Sequence, residues 1–182
     1  MPRKRPDKNL AGAFLAAMPG LLDKNFRRTL LYLSHHEPDS GAVGLVLNRP
    51  IGTILADIVP DCTGLGTLQL HEGGPVSTEQ VIVASLVWSG RKALFTPLDK
   101  NEGLPDSPMS GLRAFAGFAG WSEGQLEEEI REGSWKVLAP RRSFLAPLTD
   151  RTEGLLLWKS VMNGMGPLQR LLADAPDHPE NN

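Results

Sequence analysis

The amino-acid sequence predicts one domain of the α+β or mixed α/β class, and three observations lead there. Short, nearly continuous apolar runs bounded by Gly, Pro, Asn or Asp recur along the chain, the pattern of strands covered on both faces. Capped segments with helical spacing lie between and after those runs, in an irregular order unlike a doubly wound nucleotide fold. A length of 182 residues, 41% hydrophobic and 22% charged, with 19 Gly and 15 Pro, suits a turn-rich body with a sizeable core.

Taken in order, residues 1–9 form a basic arm expected to be disordered, residues 10–173 the domain, and residues 174–182 (DAPDHPENN) a polar tail also expected to be disordered. A first strand is expected over residues 12–18. The clearest strands are 28–34 (RTLLYLS), 42–47 (AVGLVL) and 81–88 (VIVASLVW), with 68–70 strand-like. Residues 112–119 (LRAFAGFA) read as a strand weakened by its alanines and Gly117. Thr53 is placed to cap a brief helix over 54–59 that Pro60 ends. Ser122 and Gln125 spell a capping box that opens a helix to about Arg131, with Gly133 at its exit. A last helix over 153–163 aligns Leu155, Trp158 and Met162, and Gly164 suits its end.

Charge and composition exclude several classes. The net charge of −2 divides into +3 over residues 1–8, from Arg3, Lys4, Arg5 and Lys8 against Asp7, and −5 over the rest, so the body is acidic. Nucleic-acid binders present a basic stripe, which makes direct DNA binding a poor expectation. No run of about 18 uninterrupted apolar residues occurs, and no membrane role is expected. The basic arm before the apolar residues 10–22 imitates a secretory signal, but Gly12, Pro19 and Gly20 interrupt the run and no small-residue cleavage site follows. With one cysteine, Cys62, there is neither an intramolecular disulfide nor a cysteine-based zinc site, and no basic neighbour in sequence activates the thiol.

Motifs that carry chemistry are few. Gly120-Trp121-Ser122-Glu123-Gly124 is a literal G-x-S-x-G between an expected strand and helix, which nominates Ser122 as a hydrolase nucleophile. An elbow needs a later acid and histidine, and the only later histidine is His178 in the tail; capping is the preferred role for Ser122. His35, His36, Glu37, Asp39, His71 and Glu72 include ligand-type residues, but no two are spaced on one rigid element, and adjacent His35 and His36 point to opposite faces of a strand. No metal is expected. Gly73-Gly74-Pro75 lacks a Walker lysine and no G-x-G-x-x-G occurs, so no cofactor is expected either. Trp88, Trp121, Trp135 and Trp158 are too widely spaced for a stacking platform and read mostly as core.

Four ordered blocks then form a pattern. Ala17-Met18-Pro19 precedes Asp23, Phe26 and Thr29. His36 is followed by Gly41-Ala42-Val43-Gly44-Leu45-Val46-Leu47-Asn48-Arg49-Pro50. Gly73-Gly74-Pro75-Val76 comes next, then residues 117–130 (GFAGWSEGQLEEEI). Over residues 10–170 the chain resembles the YqgE/AlgH family. The resemblance implies a cytosolic bacterial protein in which a branched, partly barrel-like β-sheet is surrounded by helices. It implies no established catalytic activity. The family's usual label, transcriptional regulator, stems from a genetic association with alginate control and not from a DNA-binding structure. The chain departs from the family's pattern in three places. Ser122-Glu123 replaces Gly-Pro, which weakens the nucleophile reading; Ser34 stands where many members have cysteine; Glu79-Gln80 follows Gly-Gly-Pro where an arginine is usual.

The expected function is therefore non-catalytic and cytoplasmic, regulatory through an unknown protein partner or a small anionic metabolite, with a DNA-binding regulator or a Ser122 hydrolase as alternatives. The expected site combines Asn48 and Arg49, emerging from a buried strand, with backbone N–H groups of Gly73 and Gly74 as an anion nest, and with His36 or Trp121 projecting into the same pocket. Asn48 and Arg49 have a plainer alternative role, tying loops together by hydrogen bonds.

Overall fold

The computed structural model describes residues 9–62, 64–98 and 111–175. Among the described residues there are nine strands: β1 Phe14–Ala17, β2 Leu30–Glu37, β3 Gly41–Val46, β4 Pro50–Ile54, β5 Gln69–Glu72, β6 Val76–Ser89, β7 Lys92–Pro97, β8 Leu112–Trp121 and β9 Trp135–Leu138. Helix α1 spans Gln125–Arg131, α2 Arg151–Asn163 and α3 Pro167–Asp174. All nine strands join one curled, half-barrel sheet in the order β4-β5-β8-β3-β2-β1-β9, with β6 on the other edge of β8 and β7 beyond it. The fold is a mixed α+β single domain, and its sheet is branched.

The branch lies within β8. Ala114 to Ala116 pair in parallel with Leu70 to Glu72 of β5, whereas Ala119 to Trp121 pair antiparallel with Gly44 to Ala42 of β3. Between them Gly117 adopts φ +67°, and a Cβ there would sit 2.6 Å from the Val76 carbonyl oxygen. Only glycine permits both the turn of the strand and the close crossing. The glycine that weakens this segment by propensity is the one that lets a single strand serve two neighbours along one edge.

The continuous apolar runs do mark strands covered on both faces. In β1 and β2, Phe14, Leu30 and Tyr32 enter one cluster, with Leu45, Phe115, Trp158 and Met162, while Leu15, Leu31 and Leu33 enter a second, with Val46, Trp121, Leu126 and Trp135. Helix α2 covers the first face with Trp158, whose indole N–H donates to the Ala17 carbonyl at 2.8 Å, and Met162; α1 covers the second with Leu126. Of the tryptophans, Trp121, Trp135 and Trp158 are core, and Trp88 is half-buried.

Two local expectations are corrected. Thr53 does not cap a helix over 54–59: it lies inside β4, and only a 3-10 turn over Leu55–Asp57 follows, where Asp57 Oδ2 accepts from the Ile54 N–H at 3.3 Å. Ser122 does not cap α1 either. The cap residue is Gly124 at φ +70°, and the Ser122 hydroxyl donates to Gln125 Oε1 at 3.2 Å. One half of the expected box is formed, since Gln125 Oε1 also accepts from the Ser122 backbone N–H at 3.0 Å. The basic arm, apart from Asn9, and the tail beyond Ala175 lie outside the described residues, as does His178; Asp174 is the last residue of α3.

Candidate functional site

The ends of β3 and β5 are neighbours, as the expected site requires: Val46 N–H donates to the Gly73 carbonyl at 2.9 Å, and Glu72 N–H to the Arg49 carbonyl at 2.9 Å. The side chains there are already engaged. Asn48, 3% exposed, accepts from Leu30 N–H at 2.8 Å and donates to the carbonyls of Arg28 and Gly154, both at 3.0 Å. It thereby fastens the 23–29 loop and the first turn of α2 to the end of β3. Helix α2 comes so close that a Cβ on Gly154 would stand 2.0 Å from the Asn48 carbonyl oxygen.

Arg49 does the same work with its guanidinium. Nη1 donates to the Asn25 carbonyl at 2.8 Å and to Glu72 Oε1 at 2.9 Å; Nη2 donates to the carbonyls of Arg27 at 2.9 Å and Lys24 at 3.2 Å. A planar fork is suited to gathering several carbonyls at once. Burial draws the group below its usual titration range, Glu72 opposes that, and the charges of Arg151 and Arg27 add to it.

The Gly73 N–H expected in the anion nest is already engaged. Gly73 N–H donates to the Ala116 carbonyl at 2.8 Å, and Cβ atoms at Gly73 and Gly74 would lie 2.1 Å and 2.2 Å from backbone atoms of Gly117 and Phe118. Both glycines serve the crossing of β5 against β8. His36 is buried with both nitrogens used: Nδ1 accepts from Leu10 N–H at 2.9 Å, which leaves the Nε2 proton to Glu127 Oε1 at 2.6 Å. Its neighbour His35 is exposed, so the two do face opposite ways. Trp121 donates to Glu129 Oε2 at 2.9 Å, and Trp135 donates to the same oxygen at 2.8 Å. Phe26 from the 23–29 loop stacks on Trp121 with centroids 6.1 Å apart. The expected residues thus belong to one connected structure, Arg49 holding the loop whose Phe26 covers Trp121, but they do not line one pocket.

The pocket at that loop is of another make. A cleft of about 570 Å³ opens where the loop, the end of β3, Glu72 and the start of α2 meet. Its charged lining is Lys24, Arg27, Arg28, Arg49 and Arg151 with one carboxylate, Glu72. Glu72 divides itself, Oε1 on Arg49 at 2.9 Å and Oε2 on Arg151 at 2.6 Å. Arg28 holds a left-handed backbone at φ +58°, uncommon for a side chain of this kind, and its guanidinium lies 5.8 Å from the Trp158 ring centroid and donates to the Ala175 carbonyl at 2.7 Å. Lys24, Arg27, Arg28 and Arg151 carry no motif, because they converge from the loop and from a helix more than 120 residues later. The one sequence signal was their density, three cations within residues 24–28 of an acidic body.

Ser122 has Gln125 as its hydroxyl partner, and among the described residues no group of three or more His, Cys, Asp and Glu side chains is arranged to hold a metal ion. Among the described residues no helix is long and apolar enough to cross a membrane.

Comparisons with known proteins agree with this architecture. A family model described as AlgH-like matches residues 14–169. The chain is similar to a UPF0301 protein of Methylococcus capsulatus, 40% identical over 186 residues that cover 93% of this chain and 96% of the relative. It is similar to another of Streptomyces coelicolor, 34% identical over 191 residues, 96% of each. Among solved structures, the solution structure of the AlgH protein from Pseudomonas aeruginosa is 28% identical with a TM-score of 0.63, covering 98% of this chain and all of that one. A crystal structure of protein DIP2367 from Corynebacterium diphtheriae, 22% identical with a TM-score of 0.68 and coverage of 94% and 95%, shares the fold. With the family model spanning most of the domain, this chain belongs to the AlgH-like family.

Proposed function

We propose that the protein is a non-catalytic, cytosolic regulator that binds a small anionic metabolite in the cleft beside Arg49 and passes its occupancy to a protein partner. One observation carries this reading: five cationic side chains gather around one carboxylate on a body that is otherwise net acidic. Like charges held together lower stability unless a counter-ion relieves them, so an anion of matching size gains from every one of them. A volume of about 570 Å³ is within the range of small-molecule sites.

The alternative of DNA recognition has less support. Helices α2 and α3 are joined by a short turn, the connectivity of a helix-turn-helix, but the exposed residues of α3 include Leu168, Leu171 and Leu172. A recognition helix instead turns polar and basic groups to phosphates and bases. For the hydrolase alternative, the Ser122 hydroxyl is spent on Gln125 and His36 on Glu127. The test is a thermal-shift screen of phosphate- and carboxylate-bearing metabolites. A saturable rise in melting temperature that Arg27→Gln abolishes supports the proposal, and no saturable shift with any of them overturns it.

A further inference from the structure

Resting on that reading, we propose that the cleft takes a compact oligophosphate, a molecule with two or more phosphoryl groups and no nucleobase, which Lys24 and Arg151 grip directly while Glu72 gives up Arg151 to it. The argument begins with which cations are available. Arg49 contributes charge but none of its terminal N–H donors, since both terminal nitrogens are committed to three carbonyls and Glu72. Its role is to build the wall. Arg151, by contrast, is 58% exposed and is held through one oxygen of Glu72. Lys24 is exposed, and its ammonium makes no ion pair among the described residues.

These two cations stand on different elements, one on the 23–29 loop and one at the first residue of α2. A ligand with two linked anionic groups has one for each of them and answers more of the positive charge than a single phosphate or carboxylate. Among the described residues the lining contains no aromatic ring to stack a base, Leu155 being its apolar member, which favours a phosphoanhydride or a phosphorylated sugar over a nucleotide.

Glu72 is an internal stand-in for the ligand. It neutralises Arg151 when the cleft is empty, and because its other oxygen stays on Arg49, Arg151 is free to exchange partners without loosening the wall. An exposed ion pair of this kind is worth little, so a more highly charged anion outcompetes it at small cost. A prediction peculiar to this arrangement follows: removing the Glu72 charge strengthens binding while removing the Arg151 charge weakens it.

Isothermal titration at low ionic strength tests this with orthophosphate, pyrophosphate, tripolyphosphate and a hexose bisphosphate. The expected result is one site per chain, with pyrophosphate or tripolyphosphate bound at least tenfold tighter than orthophosphate. Arg151→Gln and Lys24→Gln should each weaken that binding about tenfold, and Glu72→Gln should tighten it several-fold. Preference for the hexose bisphosphate over tripolyphosphate assigns the ligand to the sugar phosphates, and the reverse order to the phosphoanhydrides. Should Glu72→Gln unfold the protein, Arg151→Gln read by Tm without ligand and by titration with it keeps the question decidable. Orthophosphate binding as tightly as pyrophosphate, or binding indifferent to Arg151→Gln, overturns the oligophosphate inference while leaving an anion cleft. Absence of saturable binding by all four removes the oligophosphate inference, and the metabolite screen then decides the anion cleft.

Discussion

Asn48, just past the end of β3, and His71, within β5, are buried almost equally, at 3% and 4% exposure, yet the protein treats them in opposite ways. Both polar atoms of the Asn48 side chain are partnered by backbone, from three different segments. His71 has Nδ1 donating to the Gln69 carbonyl at 3.2 Å and, among the described residues, no partner on Nε2, beside the Phe115 ring at 5.8 Å. Burial, with the Arg113 charge behind it, lowers the imidazole to about 4. The contrast separates a buried polar residue that organises chains around itself from one that the core merely tolerates, and the two respond differently to change.

The largest effect should come from breaking the partnered side. Asn48→Ala strands the Leu30 N–H and the carbonyls of Arg28 and Gly154, and is expected to cost about 4 kcal/mol by chemical denaturation. A cost below about 1 kcal/mol would show that water replaces the side chain and that the fastening is not essential.

Next is Arg49→Lys, which keeps the charge and loses the fork, with an expected cost of about 2 to 3 kcal/mol. Because Arg49 holds the loop that carries Phe26, the indole of Trp121 should become more exposed, read as a red shift in tryptophan emission. Unchanged emission would detach the loop from the aromatic cluster.

For His71 the effect depends on pH. Its folded value of about 4 lies below the unfolded 6.5, so the unfolded chain binds the extra proton between those values. Stability is complete above about pH 6.5, is lost as pH falls through the interval, and levels off below about 4. Relative to His71→Met, the native protein should lose about 2 kcal/mol between pH 7.5 and pH 5. At neutral pH the substitution should cost under about 1 kcal/mol, since the removed group had little to lose. Parallel pH profiles for the two proteins would mean that His71 finds a partner when protonated.

Ser122→Ala sits at the bottom of the scale. With α1 capped by Gly124 and the hydroxyl exposed, the expected change is below about 0.5 kcal/mol, in contrast to about 1 kcal/mol for a working cap. A full 1 kcal/mol loss would reinstate the serine as cap.

These differences also show how far the sequence carries. Strands β2, β3, β6 and β8 were legible because each is an apolar run between turn residues, and the alternation of Leu30 and Leu31 between two clusters is what a doubly covered strand writes into a chain. Strands β4, β7 and β9 were not. They are short, and β4 and β7 are largely exposed, so pairing fixes them more than their own composition does: β7 by its hairpin with β6, β4 by β5, and β9 by β1 at the other end of the chain. Helix α3 escaped because it buries Ala173 and turns Leu168, Leu171 and Leu172 outward. At the site, Asn48 and Arg49 were visible as strand-end residues, and loop tying was the alternative reading that the geometry supports for both. At Gly73 and Gly74 the structure shows a close backbone crossing, and glycine written for a crossing looks the same in sequence as glycine written for an anion. Arg151 and Lys24 share no spacing; only the folded chain brings them together.

The branching of the sheet at β8 has a consequence for synthesis on the ribosome. Until residues 112–121 leave the exit tunnel, β3, β5 and β6, all made earlier, each keep one edge without its final partner. Three hydrogen-bonding edges from more than a hundred residues of nascent chain then wait on one ten-residue segment. Delay at that point, by slow codons or a truncated message, exposes them together, so this is the stage of synthesis at which stray edge pairing has most to work with, until β8 emerges and closes all three.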